Sequence, residues 1–225
     1  MKESIIFENS QLVVAYKAAG VLSVDSRLGK SEPRSVLARK LEDYLKARLY
    51  PVHRLDFEVE GIILYAKNPK SHSLLSKAFE AKTITKTYFA VSEQEAPVDI
   101  ISKKQFWESV IVRGKKRSFE AAYGKKAETK ALCLKNINYM NSVMSLWELK
   151  PLTGRSHQLR FEMSKHSFPI LGDALYGAKM SLEAHHIALQ AYSLEISEES
   201  ICHQLEIPNK FSSQKTLMEL LNIDS

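Results

Sequence analysis

The stretch that most restricts the fold of this chain runs from Pro51 to Ala66, PVHRLDFEVEGIILYA. Its second half, Ile62-Ile63-Leu64-Tyr65-Ala66, is a short apolar run of mostly β-forming residues. It is too short for a typical helix and reads as a buried strand. The first half is polar and charged, which predicts a loop with Gly61 at the junction. A loop that feeds a core strand holds its side chains rigidly, so Arg54 and Asp56 are candidates for chemistry. A second polar stretch far along the chain, LTGRSHQLR from Leu152 to Arg160, could supply a cation to an acid in a cleft.

Around this stretch the periodicity alternates between strand and helix. Ser4–Glu8 and Gln11–Tyr16 read as two strands about an Asn9-Ser10 turn. Ser35–Leu49 carries Val36, Leu37, Leu41, Tyr44 and Leu45 at helical spacing, with Arg and Lys on the other side. Pro69–Lys82 reads as a second amphipathic helix, with Pro69 suited to its first turn. Lys86–Val91 is a strand on which Tyr88 shares a face with Lys86 and Ala90. Thr129–Asn138 and Ser142–Leu149 alternate and predict a hairpin through Asn141. Cys133 is expected to pack as a small apolar residue. Thr153 is expected to cap a helix containing Leu159 and Met163, with Gly154 and Arg155 in its first turn. His185–Ile196 predicts a late strand and Gln214–Asn222 a short closing helix. Mostly strands with a few helices, and no internal repeat, predict an α+β fold with a mixed or antiparallel central sheet.

Composition narrows the function classes. A length of 225 residues fits one large domain or two small ones and can bury a substantial core. The net charge of +6 permits a polyanionic partner. Nine Lys or Arg against three Glu fall between Lys103 and Lys130, an excess equal to that of the whole chain. Trp107, Phe119 and Tyr123 are interleaved there, and Lys115, Lys116 and Arg117 form a basic turn between two β-like pieces. This is either a solvated hairpin or, as favoured here, an arm that contacts phosphates. Two cysteines, Cys133 and Cys202, make neither a C-x-x-C pair nor a disulfide framework, which fits a reducing cytoplasm. No signal peptide is expected in residues 1–20, and no run approaches membrane-spanning length.

Four segments carry a resemblance to the RluA-type RNA pseudouridine synthases. They are His53-Arg54-Leu55-Asp56 for the family's H-R-L-D, Lys86-Thr87-Tyr88 for K-x-Y, and Thr153–Arg160 for T-G-R-[ST]-H-Q-[LI]-R. The fourth is Ser167–Gly177 for G-H-P-I-x-G-D-x-x-Y-G. Order and spacing match from about Ile5 to about Pro208. The resemblance implies a long bent sheet with a catalytic cleft across its middle. It implies a single catalytic domain over 1–225; the S4 module that some relatives carry at the N-terminus is not expected, because the first predicted strand starts near Ser4. It implies isomerisation of uridine to pseudouridine in ribosomal or transfer RNA, without metal or organic cofactor. Asp56 would be the nucleophile, Arg155 the cation that keeps it ionised, and Tyr88 a base-stacking group that helps remove the C5 proton. The target uridine would be turned outward. Arg54 would enter the vacated space, and His53, His157, Arg160 and the Lys115–Arg117 turn would contact RNA. A monomer is the simplest expectation.

Two departures matter. Tyr16 and Ala18 stand where the family's N-K-P-x-G-L segment has Asn and Pro. Val59 and Glu60 stand where Thr and Ser follow H-R-L-D. Were that segment extended, Asp56, Glu58 and Glu60 would share a face and repel a phosphate. A catalytically impaired RNA-binding protein on the same fold is therefore the alternative reading. A glycoside hydrolase fits the arginines and basic surface poorly. A zinc hydrolase lacks an H-x-x-x-H pair, and the adjacent His185 and His186 would splay apart on a strand.

Overall fold

The computed structural model describes residues 4–223. The chain divides into two compact units, and it passes between them three times. The first holds the N-terminal residues through Thr85 together with Ala191–Gln214, and the second holds Lys86–Gln190 and the residues from Lys215 on.

In the first unit, β1 (Ile5–Glu8), β2 (Leu12–Lys17), β4 (Glu60–Ala66) and β10 (Leu189–Ile196, from Ala191 on) lie side by side in that order. The short β3 (Tyr50–Pro51) adds to β4, and β11 (Lys210–Ser212) adds to β10. The apolar run of β4 is buried at every position, as expected for a central strand. Gly61 is obligatory there: φ is 120°, and a Cβ would lie 2.2 Å from the Ala191 carbonyl oxygen. Helix α1 spans Leu37–Leu45, shorter than predicted, because Lys46 turns left-handed and stops it. Helix α2 (Pro69–Glu80) starts where Pro69 predicts, with Asn68 Oδ1 accepting from the Ser71 N–H. Its Leu75 and Ala78 join Leu12, Val14, Ile62 and Leu64 in a core that α4 (Glu199–Leu205) completes with Ile201 and Leu205.

The second unit is built on β5 (Ile84–Ser92, from Lys86 on), β9 (Ser142–Pro151), β8 (Lys125–Tyr139), β6 (Lys104–Arg113) and β7 (Ser118–Glu120), in that order and antiparallel throughout. The predicted β8–β9 hairpin closes through Met140 and Asn141, both at positive φ, a two-residue turn whose twist matches its strands. Trp107, Trp147 and Phe168 pack ring on ring, with centroids 5.5 and 4.7 Å apart. Cys133 is buried here as expected, and burial pushes its thiol up to about 11. Helix α3 (Gln158–Lys165) sits in this unit, and α5 (Leu217–Leu220) is a single capped turn. The late strand starts at Leu189, four residues after predicted, because His185 adopts a left-handed conformation.

The pairs β1–β2, β2–β4, β5–β9 and β8–β9 are antiparallel, and the few helices follow or interrupt the strands: the architecture is α+β, as the periodicity predicts.

Candidate functional site

The Asp56 loop is held on both sides by hydrogen bonds within the first unit. The Ser23 hydroxyl accepts from the Leu55 N–H and donates to the Leu55 carbonyl, both at 3.0 Å. The Phe57 carbonyl accepts from the Gly20 N–H at 2.9 Å and from Lys17 Nζ at 3.3 Å. The Val59 N–H reaches back to the Asp56 carbonyl at 3.2 Å and closes a turn over Phe57 and Glu58. The segment is therefore not extended, and Asp56, Glu58 and Glu60 do not alternate on one strand face. Asp56 is left half-buried and Arg54 exposed. His53 serves the scaffold: its Nε2 accepts from the Leu64 N–H at 3.1 Å, and its ring packs on Phe79.

Sequence reasoning passed over Lys17, which ends β2. It is fully buried, and its ammonium donates to the carbonyls of Ala18, Val21 and Phe57. Burial lowers its pKa to about 8, against the charges of Asp56, Glu58 and Glu60, which favour the cation. A buried ammonium therefore faces the acids of the loop. Its sequence signal was a lysine closing an apolar strand just before a glycine turn.

The two departures from the family pattern meet in space. Tyr16 Oη donates to Glu60 Oε2 at 2.6 Å, and the two residues lie on paired strands. A phenol in place of Asn thus satisfies a carboxylate in place of Ser, and Glu60 is a buried hydrogen-bonded acid rather than an extra charge offered to RNA. Tyr16→Phe is expected to cost about 1–3 kcal/mol, because a buried carboxylate loses a donor. An unchanged urea midpoint for that variant would show that Glu60 does not depend on the phenol.

In the second unit, Gln158 organises the TGRSHQLR segment. Its Oε1 accepts from Thr153 Oγ1 at 2.7 Å and from the Arg155 N–H at 3.1 Å. Its Nε2 donates to the Glu128 carbonyl and to Thr129 Oγ1. Thr153 therefore does not cap α3. The helix begins at Gln158 behind a left-handed His157, and Gly154 and Arg155 belong to the turn before it. Arg155 is exposed, and its Nε donates to the Lys126 carbonyl at 2.9 Å. In β5, Tyr88 is half-buried. Lys86 Nζ lies 3.4 Å from the Thr153 carbonyl, and burial lowers its pKa to about 8.

Arg160 corrects an expectation. It is 2% exposed and makes a bidentate pair with Asp173, at 2.7 and 2.8 Å. Its guanidinium also lies over the Tyr176 ring. A cation so enclosed serves the fold and does not reach RNA. His157 is half-buried beside it. Arg113 Nη1 lies 2.9 Å from His157 Nε2, and Tyr176 Oη lies 3.2 Å from Nδ1. A guanidinium only donates, so Nε2 accepts and Nδ1 carries the proton. Lys115, Lys116 and Arg117 are all exposed on the β6–β7 turn.

Glu162 lies behind Gln158, fully buried, with Oε2 accepting from Thr129 Oγ1. Its Oε1 has no partner among the described residues, and burial raises its pKa to about 7. The folded state then holds the proton more tightly than the unfolded chain. The stabilisation is complete below the ordinary carboxylate value of 4.5 and is lost as pH rises through about 7. Glu162→Gln is expected to flatten this slope, which amounts to on the order of 3 kcal/mol. Urea unfolding at pH 5 and at pH 8 checks it, and parallel pH profiles for the two proteins would contradict it.

Among the described residues, no three His, Cys, Asp or Glu side chains group as a metal set, and no helix is long and apolar enough to cross a membrane.

Residues 11–165 match the family described as RNA pseudouridylate synthase. The chain is 34% identical over 204 residues to ribosomal large subunit pseudouridine synthase D of Borreliella burgdorferi, covering 86% of this chain and 60% of that protein. It is 34% identical over 187 residues to tRNA pseudouridine synthase C of Pasteurella multocida, covering 79% of this chain and 75% of that protein. Its fold is similar to that of human RNA pseudouridylate synthase domain containing 4. There the TM-score is 0.71 at 21% identity, over 100% of this chain and 95% of that one.

Proposed function

Because the chain belongs to the RNA pseudouridylate synthase family, whose members convert uridine to pseudouridine in RNA, we propose that it isomerises uridines in ribosomal or transfer RNA. The observation that carries this reading is the Asp56 loop, a carboxylate on a backbone pinned by Ser23, Gly20 and Lys17. Such pinning keeps a nucleophile in place without charging the cost of ordering it to each turnover.

The reaction breaks the N1–C1′ bond, turns the base and joins C5 to C1′. The proton on C5 leaves to water and N1 gains one, so neither oxidation state nor net composition changes. Asp56 acts as the nucleophile, and Lys17 and Arg155 favour its ionised form. Tyr88 stacks on the base and assists removal of the C5 proton. Arg54, exposed beside Asp56, fills the space the target uridine leaves when it turns outward, its planar guanidinium replacing lost stacking. His53 supports this loop through the Leu64 amide. The Lys115–Arg117 turn neutralises phosphates, and His157 steadies that turn through Arg113. The same reading puts the protein in the cytoplasm with its RNA, as a monomer, with no need of a metal ion, an organic cofactor or a membrane.

Mapping pseudouridines in ribosomal and transfer RNA from cells with and without the gene tests the proposal. Loss of modification at one or a few positions is expected. Identical maps would overturn it.

A further inference from the structure

We propose that the solvent face of the β6–β7 hairpin is a second RNA-contact surface, a platform on which unpaired nucleotides flanking the target stack. This rests on RNA being the substrate.

Alternation along β6 buries Trp107, Ser109 and Ile111 and turns Phe106 and Val110 outward. Phe119 pairs with Val112 and so shares that outer face. Phe106 is 52% exposed, Phe119 40%, and Tyr123, in the turn after β7, 78%. Single exposed apolar residues are ordinary, but three exposed rings on one hairpin are a pattern.

The cations around the rings point to a nucleic acid. Lys130 lies directly across from Phe106 and Lys126 directly across from Val110. Two of the acids on this face, Glu108 and Glu128, are both bridged by Lys126, at 2.7 and 2.9 Å. The stripe ends at the turn bearing Arg113, Lys115, Lys116 and Arg117, all exposed. The core of a protein interface is depleted in lysine, whereas rings alternating with cations suit bases and phosphates in turn. From Phe106 to the Val112–Phe119 pair is about 20 Å at roughly 3.3 Å per residue, room for several nucleotides rather than one base.

The platform is also anchored. The Ser118 N–H donates to Tyr176 Oη at 2.7 Å, and Ser118 Oγ donates to the Ser156 carbonyl at 2.6 Å. Nucleotides held on the hairpin are thereby kept in register with the turn that carries Arg155.

The test measures binding of the full-length protein to oligouridylate and to a blunt RNA duplex of equal length, by fluorescence anisotropy. Replacing Phe106, Phe119 and Tyr123 by alanine is expected to weaken oligouridylate binding by about tenfold or more per ring, with little change for the duplex. Replacing the same three by leucine is expected not to restore it, because leucine keeps apolar area but has no π-face. Lys115→Glu, Lys116→Glu and Arg117→Glu together are expected to weaken both probes and reduce the salt slope. Wild-type affinity in the alanine variant, or rescue by leucine, overturns this inference alone. So does a wild-type dimer that the alanine variant dissolves at unchanged RNA affinity, since the face would then join two copies. Wild-type protein that binds neither RNA overturns the substrate reading as well.

Discussion

Asp56→Asn is expected to bring turnover to background, a loss of at least about a thousandfold, while the protein stays folded and binds RNA. The substitution changes one oxygen for an amide of the same shape. The hydrogen bonds from Ser23, Gly20, Lys17 and Val59 to the loop use backbone atoms of Leu55, Asp56, Phe57 or Val59, and the substitution keeps them. What disappears is the negative charge, and with it the nucleophile. RNA affinity is expected to hold or rise slightly, because one anion fewer faces the phosphates. Single-turnover assays beside anisotropy separate the effects. Retained turnover would remove Asp56 from the chemistry, and a lowered melting temperature would trace the loss to folding.

Asp173→Ala is expected to cost about 3–5 kcal/mol of stability, the largest effect of any single change away from the Asp56 loop. It would remove the carboxylate that pairs with the Arg160 guanidinium at 2% exposure, beneath the Tyr176 ring. The effect should pass to the basic hairpin, because Tyr176 Oη binds the Ser118 amide. Arg160→Met combined with Asp173→Ala is expected to recover much of the loss, since an apolar pair often replaces a buried ion pair at little cost. Urea unfolding reads both variants. An unchanged midpoint for Asp173→Ala would show that the pair contributes nothing.

The elements legible in the sequence are those whose signal is local. The apolar run of β4, Pro69 at the start of α2 and Asn141 in the β8–β9 turn each report on their own backbone. The pairings that shape the candidate site are not local. Tyr16 and Glu60 are 44 residues apart, and either alone reads as a departure from the family pattern rather than as half of a hydrogen bond. Thr153 carries the chemistry of a helix cap, but the Gln158 side chain takes its hydroxyl, and the helix starts later. Arg160 stands in a run of polar residues that suggests contact with RNA, and only its meeting with Asp173 shows that it is enclosed. The depth at which Lys17 lies depends on the Asp56 loop folding over it, which no periodicity in β2 reveals.

Incubation of the purified protein with RNA carrying 5-³H-uridine is the most direct measurement. Isomerisation moves the sugar bond to C5 and must expel the tritium, whereas binding or hydrolysis leaves it on the base. Tritium is expected in the water, in proportion to pseudouridine in the nucleoside digest. Stable RNA binding with all the label retained, on RNA from cells lacking the gene, would contradict an isomerase and leave a protein that only binds.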